Sequence, residues 1–126
     1  AFATLKKNLE TASKRGYIKA LDGRKLTIRG NSSHRCLSQL LQSAGAIVAK
    51  QWLMLTYDTI KSKYGDDAFI MGMIHDEMQI ACKTKEIAED VGYIAGRMAQ
   101  EAGVALGLNI TTAAEYSVGA TWADTH

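Results

Sequence analysis

The chain has 126 residues, of which 47% are hydrophobic and 22% are charged, and its formal net charge is +2. This length allows one domain with a hydrophobic core and excludes a complete large multidomain enzyme. No apolar run approaches the ~18–20 residues of a membrane span, and no secretory signal pattern is present, so a cytoplasmic protein is expected.

Charge is distributed unevenly along the chain. Residues 1–35 contain nine Lys and Arg but two acidic residues, whereas the remainder contains six and eleven. A basic first third is typical of a phosphate-contacting surface, and an acidic remainder is consistent with a cation-binding end. A solvated charged helix is the alternative for the basic residues before Gly16. Cys36 and Cys82 lack metal-ligand spacing and are interpreted as reduced, buried thiols.

The first predicted elements are a helix and a basic ribbon. Residues 2–15 place apolar side chains at helical spacing, and Gly16 follows where a glycine commonly ends a helix. Residues 17–21 and 24–29 flank Asp22-Gly23, which favours a type I′ turn between two strands. The basic residues of this ribbon are Lys19, Arg24, Lys25 and Arg29.

The longest predicted helix begins at Ser33 or His34, after a loop over residues 30–33 in which Ser32 or Ser33 is the cap, and ends at Lys61. Beside its apolar stripe runs a second line of polar and then small residues. This line comprises His34, Ser38, Gln42, Gly45 and Ala49. This line could lie against a nucleic acid. A close-packed neighbour would explain the helical Gly45 equally well, and a lone glutamine such as Gln42 is typically a plain surface residue.

A second predicted hairpin lies at the centre of the chain, after a solvated loop over residues 63–67. Residues 68–74 and 78–82 are apolar runs of strand length. His75, Asp76 and Glu77 would form the tight end between them and hold two carboxylates on a stiff scaffold. Because adjacent anions repel each other, a bound cation would stabilise them. The alternative is that Asp76 is only a turn residue.

The last predicted elements are a helix over residues 85–106, capped by Thr84 and ended by Gly107, and a strand over residues 108–116. Strands interleaved with long helices favour an α+β fold, in which an antiparallel sheet carries helices packed on one face.

Four segments, in order, resemble one family. Ile74-His75-Asp76-Glu77 resembles motif C of the family A (DNA polymerase I-like) DNA polymerases. Leu21-Asp22-Gly23-Arg24-Lys25 resembles that family's hairpin after the fingers, in its phage-type replicative form. Residues 40–46 (LLQSAGA) resemble the glutamine-bearing helix of the palm, and residues 119–126 (GATWADTH) resemble the Gly/Trp/terminal-His tail. Together they cover residues ~17–126.

The resemblance implies that residues 1–126 are one domain, the C-terminal part of an incomplete polymerase palm, with residues 1–16 joining palm and fingers. Asp76 would be a ligand in a two-metal Mg²⁺ site, Glu77 a supporting catalytic residue, and His75 a neighbour of the primer terminus. Primer–template DNA and a deoxynucleoside triphosphate (dNTP) would be the substrates.

The DNA contacts implied by the resemblance lie on the long helix and the basic ribbon. Gln42 matches a minor-groove reader directly. Ser38 stands where the family usually has asparagine, and His34 stands where many relatives have arginine, so this chain departs from the family at both positions. The phosphate contacts would be Arg24, Lys25 and Arg29, of which Arg24 matches best.

The motif A aspartate and the fingers helix have no counterpart in this sequence, and both would precede residue 1. We therefore expect this chain to be inactive without a second polymerase part, encoded by the same gene or by a separate one. A non-catalytic nucleic-acid-binding module with a palm-like fold is the alternative. A third hypothesis is an unrelated phosphohydrolase that uses Asp76 and Glu77. The sequence lacks a second cluster of metal ligands, which counts against this hypothesis.

Overall fold

The computed structural model describes residues 2–29 and 33–125. Within them, three α-helices and two antiparallel hairpins confirm the predicted α+β class. The elements in chain order are α1 (Phe2–Arg15), β1 (Tyr17–Lys19), β2 (Lys25–Thr27), α2 (Ser33–Tyr64), β3 (Ala68–Ile74), β4 (Glu77–Cys82), α3 (Lys85–Ala105) and a 3-10 turn (Trp122–Thr125). In the described ranges, β1 pairs with β2 and β3 with β4, and the two pairs remain separate sheets.

The chain forms two compact units, Ala1–Ile47 and Val48–His126. The first unit contains α1, the β1–β2 hairpin and the start of α2, and the second contains the remainder. Each unit has its own cluster of buried apolar side chains. The assignment of the whole chain to one palm domain stays a prediction.

The core of the first unit joins α1, the residue that follows β2, and α2. Its buried members are Leu9, Ala12, Ile28 and Cys36. α1 ends at Arg15, as predicted, and is followed by Gly16, which has φ +83° and donates its N–H to the Ala12 carbonyl at 3.0 Å. The Cys36 side chain is completely buried, as predicted, whereas Cys82, also predicted to be buried, is only half-buried.

The predicted type I′ turn at Asp22-Gly23 is wrong. Gly23 donates its N–H to the Ala20 carbonyl at 3.0 Å, so Leu21 and Asp22 are the central turn residues. Gly23 has φ +82°, whereas neither central residue has a positive φ. A type I′ turn needs a positive φ at both of its central residues. The connection is instead a three-residue hairpin loop, in which Gly23 follows the turn in a left-handed conformation. Both strands are therefore shorter than predicted.

α2 begins at the predicted Ser33 and extends three residues beyond the predicted end, to Tyr64. Gly65 stops it with φ +57° and donates its N–H to the Lys61 carbonyl at 3.1 Å. Residues 30–32 of the predicted loop, with the alternative cap at Ser32, lie outside the described residues, and Ser33 belongs to α2. Although α2 has 32 residues, neither it nor any other described helix is apolar enough over a sufficient length to cross a membrane.

The core of the second unit lies between α2, α3 and the β3–β4 hairpin. Its buried members are Ile60, Ala68, Val91 and Ile94. Trp52 on α2 donates its indole N–H to the Ala95 carbonyl on α3 at 2.7 Å. At the end of α2, Lys63 and Tyr64 both donate to the Asp90 carboxylate, at 2.7 and 2.6 Å. These two hydrogen bonds hold the pKa of Asp90 below its usual range.

Both predicted ends of α3 are confirmed. The Thr84 hydroxyl accepts a hydrogen bond from the Ile87 N–H at 3.3 Å, which satisfies one free donor of the first turn. Gly107 follows the helix with φ +68°, and the Leu108 N–H reaches back to the Gly103 carbonyl at 3.0 Å.

The predicted strand over residues 108–116 is wrong, because the described structure has no strand there. The segment lies against α3 instead. Thr112 donates its hydroxyl to the Ala99 carbonyl, and the Tyr116 ring lies directly over Gly92. A Cβ added at Gly103 would lie 2.5 Å from the Thr112 hydroxyl oxygen. Small residues on α3 therefore provide the surface against which this segment packs.

This packing predicts opposite effects for two glycine substitutions. Gly103→Ala is expected to lower the free energy of unfolding by about 1–3 kcal/mol, because Thr112 must move away from Ala99. The matched control is Gly45→Ala in α2, where an added Cβ meets no atom within 4 Å. Because alanine is the better helix former, this change is expected to raise stability by up to about 1 kcal/mol. Urea unfolding measures both, and a stabilising Gly103→Ala would contradict the packing.

Candidate metal-binding turn and nucleic-acid interface

The turn between β3 and β4 contains two residues. Ile74 pairs with Glu77 across the hairpin, so His75 and Asp76 alone connect the strands. Glu77 was predicted at the tight end of the hairpin but is the first residue of β4. Although the two carboxylates are adjacent in sequence, Asp76 lies in the turn and Glu77 lies in the strand.

His75 is the one non-glycine residue of the described chain with a positive φ, at +56°. Both common two-residue hairpin turns require a positive φ at the first turn position, and His tolerates that conformation better than most residues. The side chains of His75 and Asp76 are both exposed. Neither side chain is therefore part of the buried core of the second unit.

Glu77 is held differently from Asp76. Its side chain is half-buried, and its carboxylate accepts a hydrogen bond from the Gln79 side-chain amide two residues along the same strand. One oxygen of Glu77 is thus already engaged within β4. This arrangement suits a supporting role better than that of a freely available ligand.

The Asp76 carboxylate is a hard oxygen donor, which is the ligand type that Mg²⁺ prefers. Across residues 2–29 and 33–125, however, no three His, Cys, Asp or Glu side chains are grouped so that they could hold a metal ion. The turn therefore fits one part of a Mg²⁺ site, with Asp76 as its ligand. The metal assignment stays a prediction.

The acidic loop before β3 is an ordinary solvated loop, as predicted. Asp66 forms an ion pair with Lys61 at 2.6 Å, and Asp67 forms one with Lys83 at 3.0 Å. The Lys61 ammonium holds the pKa of Asp66 below its usual range. Both carboxylates therefore already have cationic neighbours.

The basic hairpin of the first unit is partly neutralised. Arg24 donates to the Asp22 carboxylate from Nε at 2.7 Å, and its Nη2 lies 2.6 Å from the same oxygen. The hydrogen bond from Arg24 lowers the pKa of Asp22. The Arg24 side chain remains 61% exposed, so it could still reach a phosphate. Any such contact would compete with Asp22 for the guanidinium.

Two further cations share one aromatic ring. The Arg15 guanidinium lies 4.1 Å from the centre of the Tyr17 ring, and the Lys25 ammonium lies 4.9 Å from it. Cation–π attraction of this kind orients both side chains along the hairpin. Arg29 is exposed, and its carbonyl accepts a hydrogen bond from Arg35 at 3.2 Å. The roles of Arg15 and Tyr17 were missed because their sequence spacing carries no signal.

The predicted polar line on α2 is exposed at His34, Ser38 and Gln42. Gln42 also borders an open depression of about 440 Å³ between α2 and the basic hairpin, still within the first unit. Its lining residues are Lys25, Leu26, Thr27, Gln39, Gln42 and Ser43. The structure thus brings the predicted contacts Lys25 and Gln42 to one depression.

Gln39 is a further polar residue of this depression, and it was not among the predicted contacts. Its side-chain carbonyl oxygen is buried and makes no hydrogen bond to any described residue. Gln39 and Gln42 are three residues apart, a spacing that places them on one helix face and could have revealed the pair.

The tail over residues 119–125 forms a compact turn. The Asp124 carboxylate accepts hydrogen bonds from the Thr121 N–H at 2.7 Å and from its hydroxyl at 2.9 Å. These bonds lower the pKa of Asp124. Trp122 is half-exposed, and the terminal His126 of the tail resemblance lies outside the described residues.

The chain is similar to curated phage proteins named DNA-directed DNA polymerase. It is 38% identical over 118 residues to that of Enterobacteria phage T3 and 36% identical over 118 residues to that of Escherichia phage T7, matching 90% of this chain and 16% of each relative. It is 29% identical over 116 residues to that of Escherichia phage Phieco32, matching 88% of this chain and 19% of the relative. No protein-family model matches.

These similarities confirm the resemblance to a segment of phage-type DNA polymerases. The chain spans about one sixth of the length of the T3 and T7 relatives. Most of each relative therefore has no counterpart in this sequence.

The strained turn generates a prediction about stability. His75→Gly is expected to raise the free energy of unfolding by up to about 1 kcal/mol, because glycine adopts a positive φ without steric cost. His75→Ala is the matched control, since it removes the imidazole but keeps a Cβ at the same φ. Urea unfolding compares the two, and an equal gain for alanine would show that the side chain, and not the backbone, is the source.

Proposed function

We propose that this chain is the C-terminal palm part of a DNA-directed DNA polymerase that acts on primer–template DNA and dNTPs in the cytoplasm of the host cell. It would supply the motif C aspartate and primer–template contacts, and it would be inactive without the part carrying the fingers and motif A. The observation that carries the proposal is the exposed Asp76 carboxylate at a two-residue hairpin turn, in a chain 36–38% identical to phage polymerases over 90% of its length.

Asp76 would hold Mg²⁺ together with the motif A aspartate of the missing part. Two bound Mg²⁺ ions would lower the pKa of the primer 3′-hydroxyl and offset the charge of the triphosphate. The hairpin register fixes the place of Asp76 at the tip of a stiff scaffold. Glu77, hydrogen-bonded within β4, would add negative potential near the turn, and the exposed His75 would contact the primer terminus.

The first unit would bind the nucleic acid. The exposed line of His34, Ser38 and Gln42 would follow the minor groove, with Gln42 as the best matching reader. The basic hairpin would contact phosphates through Arg24, Lys25 and Arg29. Exposure of all these side chains supports the proposal.

A non-catalytic nucleic-acid-binding module is the second candidate function. It is favoured by the basic hairpin and its neighbouring depression, which need no metal to contact a phosphate backbone. The two candidates differ at Asp76, whose carboxylate matters for catalysis and not for DNA binding. The phosphohydrolase hypothesis is weaker, because no three His, Cys, Asp or Glu side chains of the described residues are grouped so that they could hold a metal ion.

DNA binding by this chain is expected to be weak, independent of sequence and sensitive to salt. If three or four phosphates are neutralised, the logarithm of affinity should fall against the logarithm of salt concentration with a slope of about −3 to −4. Arg24→Ala combined with Lys25→Ala should reduce both the affinity and the slope. Fluorescence anisotropy with duplex DNA measures them, and binding that does not respond to salt would contradict this surface.

Asp22→Asn is the matched opposite variant for the same measurement. Asparagine keeps a turn-forming side chain but removes the charge that pairs with Arg24 at 2.6 Å. The freed guanidinium should increase the affinity for DNA. A loss of affinity would show that the Asp22–Arg24 pair, and not free Arg24, forms the binding surface.

Catalysis is tested in a chimera in which this chain replaces the matched segment of the phage T3 relative. The chimera should extend a primer in Mg²⁺, and Asp76→Asn should reduce the rate by about three orders of magnitude, because a metal ligand stabilises charge in the transition state. Asn has nearly the same volume, so folding should be unchanged. Glu77→Gln is the control and should lose much less activity. Near-normal extension by the Asp76→Asn chimera would refute the motif C assignment.

A further inference from the structure

The loop between β1 and β2 places a carboxylate directly before a glycine. Asp22 is followed by Gly23, whose backbone nitrogen has no neighbouring Cβ to shield it. An aspartate before a glycine is the pair in which this nitrogen most readily attacks the carbon of the side-chain carboxyl group. The five-membered ring that forms is a succinimide, and water opens it again. Residues 21–25 are exposed, so water reaches the whole loop.

The backbone conformation of the loop requires a glycine at position 23. Gly23 has φ +82°, which lies in the left-handed region. A residue with a Cβ adopts this region only at a steric cost, whereas glycine adopts it freely. The residue that makes Asp22 susceptible to attack is therefore the residue that the hairpin needs in order to close.

Arg24 engages both oxygens of the Asp22 carboxylate. Its Nε donates to Oδ2 at 2.7 Å, and its Nη2 lies 2.6 Å from the same oxygen. The backbone N–H of Arg24 donates to Oδ1 at 3.2 Å. These contacts restrict rotation of the carboxyl group toward the Gly23 nitrogen. The hydrogen bond from Arg24 also lowers the pKa of Asp22, which keeps the group in its ionised and less reactive form.

The attacking nitrogen is restrained as well. The Gly23 N–H donates to the Ala20 carbonyl at 3.0 Å, and the Ala20 N–H donates to the Arg24 carbonyl at 2.9 Å. Attack on Asp22 requires the Gly23 N–H to leave the Ala20 carbonyl, because the same nitrogen must form the new bond. The folded loop therefore opposes the reaction at the nitrogen and at the carboxyl group, and a local opening of the loop is needed for it to proceed.

We propose that Asp22-Gly23 is a site of isoaspartate formation that the Arg24 side chain keeps closed in the folded chain. In the reaction, the Gly23 nitrogen loses its proton and bonds to Cγ of Asp22. One carboxylate oxygen takes up that proton and a second one from solvent, and it leaves as water. A water molecule then breaks the bond from this nitrogen either to Cγ, which restores aspartate, or to the main-chain carbonyl carbon, which gives isoaspartate. Isoaspartate adds one carbon to the backbone of this short loop.

The test compares the wild-type chain with Arg24→Ala during incubation at neutral pH. Enzymatic methylation with protein isoaspartyl methyltransferase measures the amount of isoaspartate, and tandem mass spectrometry of peptides locates it. Folded Arg24→Ala should form isoaspartate at position 22 about fivefold faster than the wild-type chain, the upper end of the effect of an exposed ion pair. Lys19→Ala is the matched control, because it removes an exposed cation from the same hairpin and keeps the Asp22–Arg24 pair. Its rate should equal that of the wild-type chain.

The same chains unfolded in urea provide the reference. Unfolding removes the Asp22–Arg24 pair, so the wild-type chain and Arg24→Ala should then react at equal rates, both faster than the folded wild-type chain. Equal rates of the two folded chains, or a folded wild-type chain that reacts as fast as the unfolded one, would overturn the proposal. If circular dichroism shows that Arg24→Ala does not fold, Arg24→Lys replaces it, because lysine keeps the charge and loses the second donor nitrogen. Arg24→Lys should also react faster than the wild-type chain, and an equal rate would overturn the proposal.

Discussion

The pairing of Ile74 with Glu77 determines the chemistry of the central hairpin. It leaves two residues to reverse the chain, which forces His75 to a positive φ and places Asp76 outside the sheet. It also makes Glu77 a strand residue, whose carboxylate is held by Gln79. The two neighbouring acidic side chains therefore differ in conformational freedom, because Asp76 is exposed to solvent and Glu77 is held by a hydrogen bond. A one-residue shift that paired Ile74 with Met78 would place both carboxylates in the turn and remove the distinction.

Elements that depend on local patterns could be predicted from the sequence, and elements that depend on distant partners could not. Helical spacing and glycine stops predicted α1 and α3 within one residue, because these signals act within a few residues. Alternation over residues 108–116 indicated a strand, but alternation does not identify the partner, which is the small-residue surface of α3. The pairing register shifts between Ile70 and Gly72, so Met71 is an extra residue, or bulge, in β3. This bulge was not predicted, although Gly72 inside an apolar strand is a signal for one.

In the first unit, the prediction of charge from sequence has the same limit, because it also depends on distant contacts. Counting Lys and Arg predicted a basic hairpin correctly, but the count did not reveal which charges are already paired. Asp22 holds Arg24, and the Tyr17 ring attracts both Arg15 and Lys25. These contacts depend on the turn geometry and on the meeting of α1 with the hairpin. The positive charge available to a ligand is therefore smaller and more precisely oriented than the sequence suggests.

The contacts of the C-terminal segment with α3 also restrict how this sequence can diverge. Gly103 leaves space for Thr112, and Gly92 leaves space for the Tyr116 ring. A larger residue on the helix becomes acceptable only when the facing residue of the segment becomes smaller. Positions 92 and 116, and likewise 103 and 112, should therefore change together among homologous proteins. Each pair joins a helix residue to a residue of the C-terminal segment. Covariation at these positions would identify proteins in which the segment packs on the helix in the same way.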